Sequence, residues 1–463
     1  MSRSNEPDQS AGATALGSRL YRDLFGTPAM RAVFDEAALV AAWLRVEAAL
    51  ARAEAAAGLI PAEVVPAIAA ACSLERIDLA ALKQGTELVG YPILPLVRQI
   101  ARAAGEPAGG YVHWGATTQD IMDTATALQV AAARRLLDAD LAAVIARLAE
   151  LAAAHRATPL AGRTHGQQAL PVTLGYKFAV LIAELRRHRA RLAAAGARAE
   201  LVEFAGAAGT LASVGAAGLV VQQHLAAELG LGVPPIAWHT SRDGLAEFVA
   251  VLGLIGATLA KLAHEVALLQ RTEIGELEEG FVPGRGGSST MPQKRNPITC
   301  ETIIGANAHL RQLVPVMLDA MLHDGERATG PWHAEWLALP EACLLAHGIV
   351  VRARELLAGL VVRPAAMRRN LALTRGLLNA EAVMMALAPA LGRQAAHDAV
   401  YAAAMRAIAA DRPLREEALA DPAIAAHLSP AELDRLLAPE HYLGLATAFV
   451  DRVLADGGAG EQG

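Results

Sequence analysis

The segment GRGGSSTMPQKRNP, residues 284–297, carries side chains that could do chemistry. Its glycines permit unusual backbone angles and could present Ser288 or Ser289 to a substrate. A serine hydroxyl is a poor base, but its alkoxide is a strong one where cations or backbone N–H groups stabilise it. Lys294 and the start of the next helix could supply that stabilisation, and Asn296 adds hydrogen-bond donors. A flexible linker is the alternative, but a linker needs no lysine, asparagine or prolines at fixed places.

A histidine with polar neighbours lies in the segment GRTHGQQA. Thr164 and Gln167 flank His165, which suits a general acid that is held in orientation. A lone histidine is more often a structural residue of the surface or the core. Glu301, seven residues after Lys294, could orient His165 and stabilise its charged form if the fold brings the two together.

Two further segments could bind carboxylates. HWGATTQD offers His113 and the adjacent hydroxyls of Thr117 and Thr118, which can bind a carboxylate near a helix start. The alternative there is a helix N-cap at Thr118 or Asp120, and both interpretations could hold. In GERATG, Arg327 is suited to clamp a second carboxylate.

These residues offer a base, an acid and carboxylate binders, and the chain shows no cofactor motif. The set fits removal of a proton beside a carboxylate, followed by loss of a leaving group from the β-carbon. Binding the carboxylate as it gains enolate-like charge would stabilise the transition state more than the ground state. His333 and Glu335 raise the question of a metal, but residues two apart point to different sides of a helix. The sequence therefore predicts β-elimination without a metal or cofactor.

Composition narrows the classes of partner. The net charge of −6 and the pI of about 6.2 give no electrostatic reason to expect nucleic acid or an anionic membrane. The three cysteines are widely spaced and form no disulfide framework. The polar N-terminus has no apolar signal core, and the longest apolar run, 249–260, is shorter than the roughly 18–20 residues of a membrane span. We expect a cytoplasmic protein that acts on a small di- or tricarboxylate.

The positioning elements are predicted to be long helices. Alanine and leucine dominate a chain that is 54% hydrophobic and only 4% aromatic, and strand signals are nearly absent. Several segments are apolar on more than one face, so other helices must surround them, as in an all-α long-helix bundle. The strongest helical periodicity covers roughly 120–156, 173–203, 211–229, 242–279, 298–322 and 337–360.

The motifs resemble those of the fumarase/aspartase superfamily. GSSTMPQKRNP closely resembles its signature loop, GSSxMPxKxNP, while GRTHGQ and HWGATTQD resemble its other two conserved regions, in the expected order. The similarity covers about residues 18–410. It implies a mostly α-helical protomer of three domains and a homotetramer in which each active site takes regions from three subunits. The domain boundaries that we predict are a tail at 1–17, an N-terminal helical domain at 18–118, a central bundle at 119–363 and a small C-terminal domain at 364–463.

The resemblance also implies roles for individual residues. Ser288, with Ser289 as its rival, would abstract the Cβ proton, and His165, paired with Glu301, would be the acid or the relay to it. The residues that would bind or line the carboxylates are Lys294, Asn296, Thr117, Thr118 and Gln167.

The segments that could assign the chain to one branch of the superfamily point to different enzymes. GERATGPWHAEW, AWHTSRD and MRRNLALTRGL look like 3-carboxy-cis,cis-muconate cycloisomerase, whose lactone formation reverses a C–O β-elimination. The bacterial form of that enzyme lacks the histidine and glutamate that stand here as His165 and Glu301. Adenylosuccinate lyase is also similar, but the segment 87–100 lacks its His-Asp pair. We therefore predict a lyase that acts on a substituted succinate or N-substituted aspartate. The alternatives are the cycloisomerase, adenylosuccinate lyase and a non-catalytic, crystallin-like protein.

Overall fold

The structure is a computed structural model that describes residues 12–282, 287, 290–291 and 293–459. Residue contacts divide the chain into two compact units. Unit 1 comprises Met1–Ala142, Arg187–Ala260 and Thr302–Arg352, and unit 2 comprises Ala143–Arg186, Lys261–Glu301 and Ala353–Gly463. The three predicted domain boundaries stay a prediction.

Helices dominate the described residues, as predicted. The first twelve, in chain order, are α1 (Arg22–Phe25), α2 (Pro28–Phe34), α3 (Glu36–Ala56), α4 (Val65–Ala71), α5 (Leu79–Val89), α6 (Ile93–Ala104), α7 (Thr118–Ala154), α8 (Leu174–Ala199), α9 (Ala217–Leu229), α10 (Asp243–Leu269), α11 (Ile298–Asp319) and α12 (Pro331–Gly359). The C-terminal helices are α13 (Pro364–Ala372), α14 (Ala380–Leu391), α15 (Arg393–Ala410), α16 (Leu414–Ala420), α17 (Pro422–Ala425), α18 (Pro430–Leu437) and α19 (Ala446–Ala459).

The predicted helical segments match α7 to α12, with one clear difference. Periodicity predicts a helix over 242–279, but α10 ends at Leu269. Six residues later, Gly275 has a φ of 62°, which a continuing α-helix could not contain, and the chain then enters the short strand β3 (Leu277–Glu278), which pairs with β4 (Val361–Val362). Residues 270–279 (QRTEIGELEE) are mostly polar and contain only two large apolar residues, Ile274 and Leu277, so the helical periodicity already weakens where α10 ends.

A β-hairpin replaces the loop that the sequence suggests at 158–171. Strands β1 (Pro159–Thr164) and β2 (Gln167–Thr173) are antiparallel, and Thr164 pairs with Gln167. The two residues between them, His165 and Gly166, have φ values of 52° and 77°. Positive φ at both positions is the signature of a type I′ turn, whose twist matches a two-residue hairpin.

The hydrophobic core of unit 1 contains residues of several helices. Trp43, Leu44 and Leu50 of α3 pack with Ile121 of α7 and Leu225 of α9. Among the described residues, α10 and α12 are long and apolar enough to cross a membrane. However, 72% and 61% of their most apolar stretches are buried inside the protein. Their apolar character is therefore accounted for by surrounding protein.

Candidate active site

The start of α7 is fixed by a carboxylate in its own first turn. Asp120 Oδ2 accepts a hydrogen bond of 2.9 Å from the backbone N–H of Thr117, and the N–H of Asp120 donates to the Thr117 carbonyl. Thr117 is therefore the N-cap, rather than Thr118 or Asp120 as the sequence suggests. The reach of an acid at the third position back to the cap is half of a capping box, and a Thr-x-x-Asp spacing is its signal in the sequence.

Arg327 lies against this helix start. Its Nε donates to Gln119 Oε1 at 3.0 Å, and its Nη1 lies 3.4 Å from Thr117 Oγ1. Arg327 Nη2 is buried and has no hydrogen-bond partner among the described residues. A buried cationic donor without an acceptor is unfavourable, and a carboxylate is the acceptor that suits a guanidinium best. The structure thus brings together Thr117 and Arg327, two predicted carboxylate binders. Thr118, which is half-buried, follows Thr117 in the chain.

A buried ion-pair network lies behind the helix start. Arg242 donates to both oxygens of Asp123, at 2.7 and 3.0 Å, and also bonds both oxygens of Glu335. Burial lowers the pKa of Arg242, but the charges and hydrogen bonds of the two carboxylates raise it above its usual range. Glu335, whose spacing from His333 raised the question of a metal, is thus engaged in an ion pair.

A second buried cluster joins Asp120 to His239 and Glu203. His239 Nε2 lies 2.7 Å from Asp120 Oδ1 and 3.8 Å from Glu203 Oε1. Burial, together with the charges of Asp120 and Asp123, raises the pKa of Glu203 to about 9, so this side chain is protonated at neutral pH. The three groups lie close enough to hold a metal ion by geometry. Asp120 also accepts hydrogen bonds from the backbone N–H groups of residues 117, 205 and 206. It therefore fixes both the start of α7 and the loop that contains residues 205 and 206.

His113 is held by an acid that the sequence analysis did not single out. Its Nδ1 lies 2.7 Å from Oε1 of Glu47, a buried residue of α3, and its backbone has a φ of 62°. Burial lowers the pKa of His113, but the charge and hydrogen bond of Glu47, with the charge of Asp120, raise it overall. An acidic residue among the apolar residues of α3 was the signal in the sequence that could have identified Glu47. Glu54, seven residues or about two turns further along α3, is a second such acid.

In unit 2, the β-hairpin presents His165 at its tip. Thr164, His165 and Gln167 are all exposed. Arg163, which precedes Thr164, donates to both oxygens of the buried Glu276, at 2.7 and 3.0 Å, so an ion pair holds the strand that leads to the tip. Among the described residues of one chain, no hydrogen bond or ion pair joins His165 to Glu301, which is also exposed. Their predicted pairing is therefore not formed within the protomer.

The signature loop is described only in part. Ser288 and Ser289, the candidate bases, lie outside the described residues. Lys294 is exposed and Asn296 is half-buried. Next to Asn296, Arg295 forms an ion pair of 2.9 Å with Glu278.

The start of α11 differs from the expectation that its N–H groups would stabilise an alkoxide. The backbone N–H groups of Thr299 and Cys300 donate to Glu279, at 3.2 and 2.7 Å. A side chain from outside the helix thus occupies its positive end. The backbone groups of this helix start are therefore already bonded, and Lys294 remains the candidate source of positive charge.

The chain matches known proteins both as a family and as individual relatives. A family model described as lyase matches residues 25–311, which is more than half of the chain, and one described as adenylosuccinate lyase C-terminus matches residues 376–453. The chain is 47% identical to 3-carboxy-cis,cis-muconate cycloisomerase of Pseudomonas aeruginosa, over 95% of this chain and 96% of that protein.

Two other relatives carry different names. The chain is 44% identical to trans-aconitate decarboxylase 1 of Mycosarcoma maydis, over 97% of this chain and 90% of that protein. It is 39% identical to N-acetyl-S-(2-succino)cysteine lyase of Enterococcus italicus, over 96% of this chain and 97% of that protein.

A solved structure agrees in fold as well as in sequence. The crystal structure of fumarate lyase from Mesorhizobium sp. BNC1 matches with a TM-score of 0.88 and 47% identity, over 93% of this chain and 98% of that chain. The predicted all-α fold class and the predicted resemblance are thereby confirmed. The chain belongs to the lyase family and is an enzyme of the fumarase/aspartase superfamily.

Proposed function

We propose that the enzyme catalyses reversible β-elimination from a substituted succinate or an N-substituted aspartate, releasing fumarate or a fumarate-like product. The observation that carries this proposal is the buried Nη2 of Arg327, which has no acceptor among the described residues and lies on a guanidinium next to the Thr117 hydroxyl. A helix start beside a guanidinium with one unpaired donor nitrogen suits the binding of a carboxylate.

The names of the relatives support a narrower substrate class. 3-Carboxymuconate, trans-aconitate and N-acetyl-S-(2-succino)cysteine are all tricarboxylates. In each compound, two carboxylates are attached to adjacent carbons, and a substituent carries the third. We therefore expect a four-carbon dicarboxylate core whose substituent ends in a further carboxylate.

The proposed reaction assigns each proton and electron pair to a group. Ser288 or Ser289 removes the proton from the carbon next to a carboxylate, and the electron pair moves into that carboxylate as enolate-like charge. Lys294 and Asn296 hold this carboxylate as its charge grows. The electron pair then forms the double bond while the bond to the leaving group breaks. His165 supplies a proton to the leaving atom, directly or through a relay, and Glu301 of the assembled site stabilises its charged form.

Lactonising cycloisomerisation is the second candidate. It is favoured by the 47% identity with the Pseudomonas aeruginosa cycloisomerase, which covers 95% of this chain. The chemistry agrees, because addition of a carboxylate oxygen to a double bond reverses a β-elimination. The presence of both His165 and Glu301 favours the ordinary lyase, because in that reaction the leaving atom needs a proton.

The site residues of the hairpin tip support a shared site in a homotetramer. Thr164, His165 and Gln167 are exposed in one chain, and so are large apolar residues such as Leu322, which is 74% exposed, and Leu337, which is 76% exposed. Apolar surface of this kind is stabilised by contact with other subunits. We further propose a cytoplasmic location, because the three cysteines are free and form no disulfide framework, as is usual in a reducing compartment.

A substrate panel tests the proposal. The purified enzyme is assayed with N-acetyl-S-(2-succino)cysteine, adenylosuccinate, other aspartate adducts, 3-carboxymuconate and trans-aconitate. Release of fumarate from a succinyl or aspartate adduct supports β-elimination. Lactone formation without fumarate release favours the second candidate. Carbon dioxide release from trans-aconitate, with no activity on the other compounds, would contradict both.

A further inference from the structure

We propose that Gln119 is a positioning residue that holds Arg327 in the orientation that receives a substrate carboxylate. The proposal deepens the proposed function and rests on it. Gln119 is the second residue of α7 and is completely buried. Neither its type nor its position in the sequence suggested a role.

The hydrogen bonds of the amide allow only one orientation. Gln119 Nε2 donates to Asp123 Oδ2 at 2.9 Å and to the carbonyl oxygen of His239 at 2.8 Å. Both partners can only accept, so the amide nitrogen must face them. The amide oxygen therefore faces Arg327 and accepts from its Nε at 3.0 Å.

The amide is itself held by the buried ion pair. Asp123 accepts hydrogen bonds from Arg242 at 2.7 and 3.0 Å and from Trp332 Nε1 at 3.2 Å. Reorienting the Gln119 amide would place its oxygen against the Asp123 carboxylate and leave buried polar groups unpaired, which is strongly unfavourable. A continuous set of hydrogen bonds thus runs from Arg242 through Asp123 and Gln119 to Arg327.

These hydrogen bonds determine which nitrogen of the Arg327 guanidinium can bind the substrate carboxylate. Nε of Arg327 is engaged by Gln119, and Nη1 faces the Thr117 hydroxyl, so Nη2 is the nitrogen left for a ligand. An arginine side chain loses considerable rotamer freedom when it is fixed. Fixing it before the substrate arrives removes that loss from the binding step, so Gln119 is expected to act on affinity.

The test separates substrate binding from the chemical step. Gln119→Ala is expected to raise KM on the order of ten-fold and to lower kcat less, because the lost hydrogen bond prepares binding. In an Arg327→Ala background, Gln119→Ala should cause no further loss of kcat/KM, since its effect passes through that arginine. The matched control is Gln129→Ala, which removes another buried glutamine of α7 that donates to the Val33 carbonyl at 2.7 Å. Its KM should stay near that of the wild type.

Independent losses from Gln119→Ala and Arg327→Ala, or an equal rise in KM for Gln129→Ala, would overturn the proposal. If circular dichroism shows that Gln119→Ala does not fold, Gln119→Met, which keeps the side-chain length, takes its place with the same expectation. Calorimetry with trans-aconitate provides a readout that needs no turnover. A wild type that turns over no member of the panel would count against the proposed function. If the Gln119 variant binds trans-aconitate as tightly as the wild type does, the result would count against the role of Gln119.

Discussion

Glu47 of α3 and His113 of the loop before α7 form a hydrogen bond of 2.7 Å between Oε1 and Nδ1. The bond leaves Nε2 as the ring nitrogen that can face a ligand. Burial lowers the pKa of His113, but Glu47 and Asp120 raise it overall, so the imidazole keeps its charge to a higher pH than a free histidine. The loop that leads to Thr117 therefore loses its positive charge at a higher pH than it would without Glu47.

Replacement of Glu47 should change the pH dependence of activity. Glu47→Gln removes the charge that raises the pKa of His113, so the alkaline limb of the kcat/KM profile should move to lower pH. Stability should respond with the same sign. A raised histidine pKa stabilises the fold fully below the unfolded value of about 6.5, and this contribution is lost as pH rises through the folded value. Glu47→Gln should lack this pH-dependent contribution in denaturant unfolding.

Glu54→Gln is the matched control for this prediction. Burial, with the charge of Glu47, raises the pKa of Glu54 to about 9, so its side chain is already neutral near pH 7. Replacing one neutral group by another should leave the activity profile near that of the wild type. An equal displacement of both profiles would mean that the charge of Glu47 is not the cause.

Replacement of Glu54 by an apolar residue should stabilise the protein. Neither carboxyl oxygen of Glu54 has a hydrogen-bond partner among the residues that the structure describes. An acid with a raised pKa binds a proton in the folded state that the unfolded chain releases, so stability falls as pH rises from about 4.5 to about 9. Glu54→Met removes this dependence. Its advantage in free energy of unfolding over the wild type should grow across that range, and a constant difference would contradict the assignment.

Removal of Arg242 should be strongly destabilising. Its side chain is almost completely buried between Asp123 and Glu335, so Arg242→Ala leaves two buried carboxylates without their cation. Loss of one member of a buried pair typically costs about 3–5 kcal/mol in free energy of unfolding, which urea denaturation measures. Arg198→Ala is the control, because its pair with Glu247 is exposed and should contribute little. Similar effects of the two substitutions would contradict the structural role of Arg242.

Of the two serines in the signature loop, one should be the base. A general base typically contributes a factor of about 10²–10⁴ in rate, so either Ser288→Ala or Ser289→Ala should lower kcat by that order while the other lowers it far less. Steady-state assays on the best substrate of the panel measure both. Full activity of both variants would exclude a serine base.

Mixed tetramers test the shared site. His165→Ala and Lys294→Ala should each be inactive alone. Because the hairpin tip and the signature loop are proposed to meet between subunits, mixing the two variants and allowing exchange should restore part of the activity. No recovery, despite exchange demonstrated by native mass spectrometry, would contradict a site shared in this way.

The long helices could be predicted because their 3.6-residue periodicity persists over many turns. The β-hairpin could not, since its strands are short and its register depends on a type I′ turn that only the backbone angles of His165 and Gly166 reveal. The residue types of Thr117 and Arg327 predict carboxylate binders, which stays a prediction, and the structure places the two side chains 3.4 Å apart. The contacts of Gln119 and Glu47 could not be predicted, because they join residues that are far apart in the sequence. Gln119 meets Arg327, for example, across 208 positions of the chain.

The positive φ values at His165 and Gly166 also limit how this position can evolve. Only glycine, asparagine and aspartate adopt a left-handed backbone with comparable ease, so few substitutions would preserve the hairpin. A descendant that replaced His165 by asparagine or aspartate would keep the backbone and exchange the proposed proton donor for an amide or a carboxylate. New chemistry at this site is therefore accessible through single substitutions that leave the architecture intact.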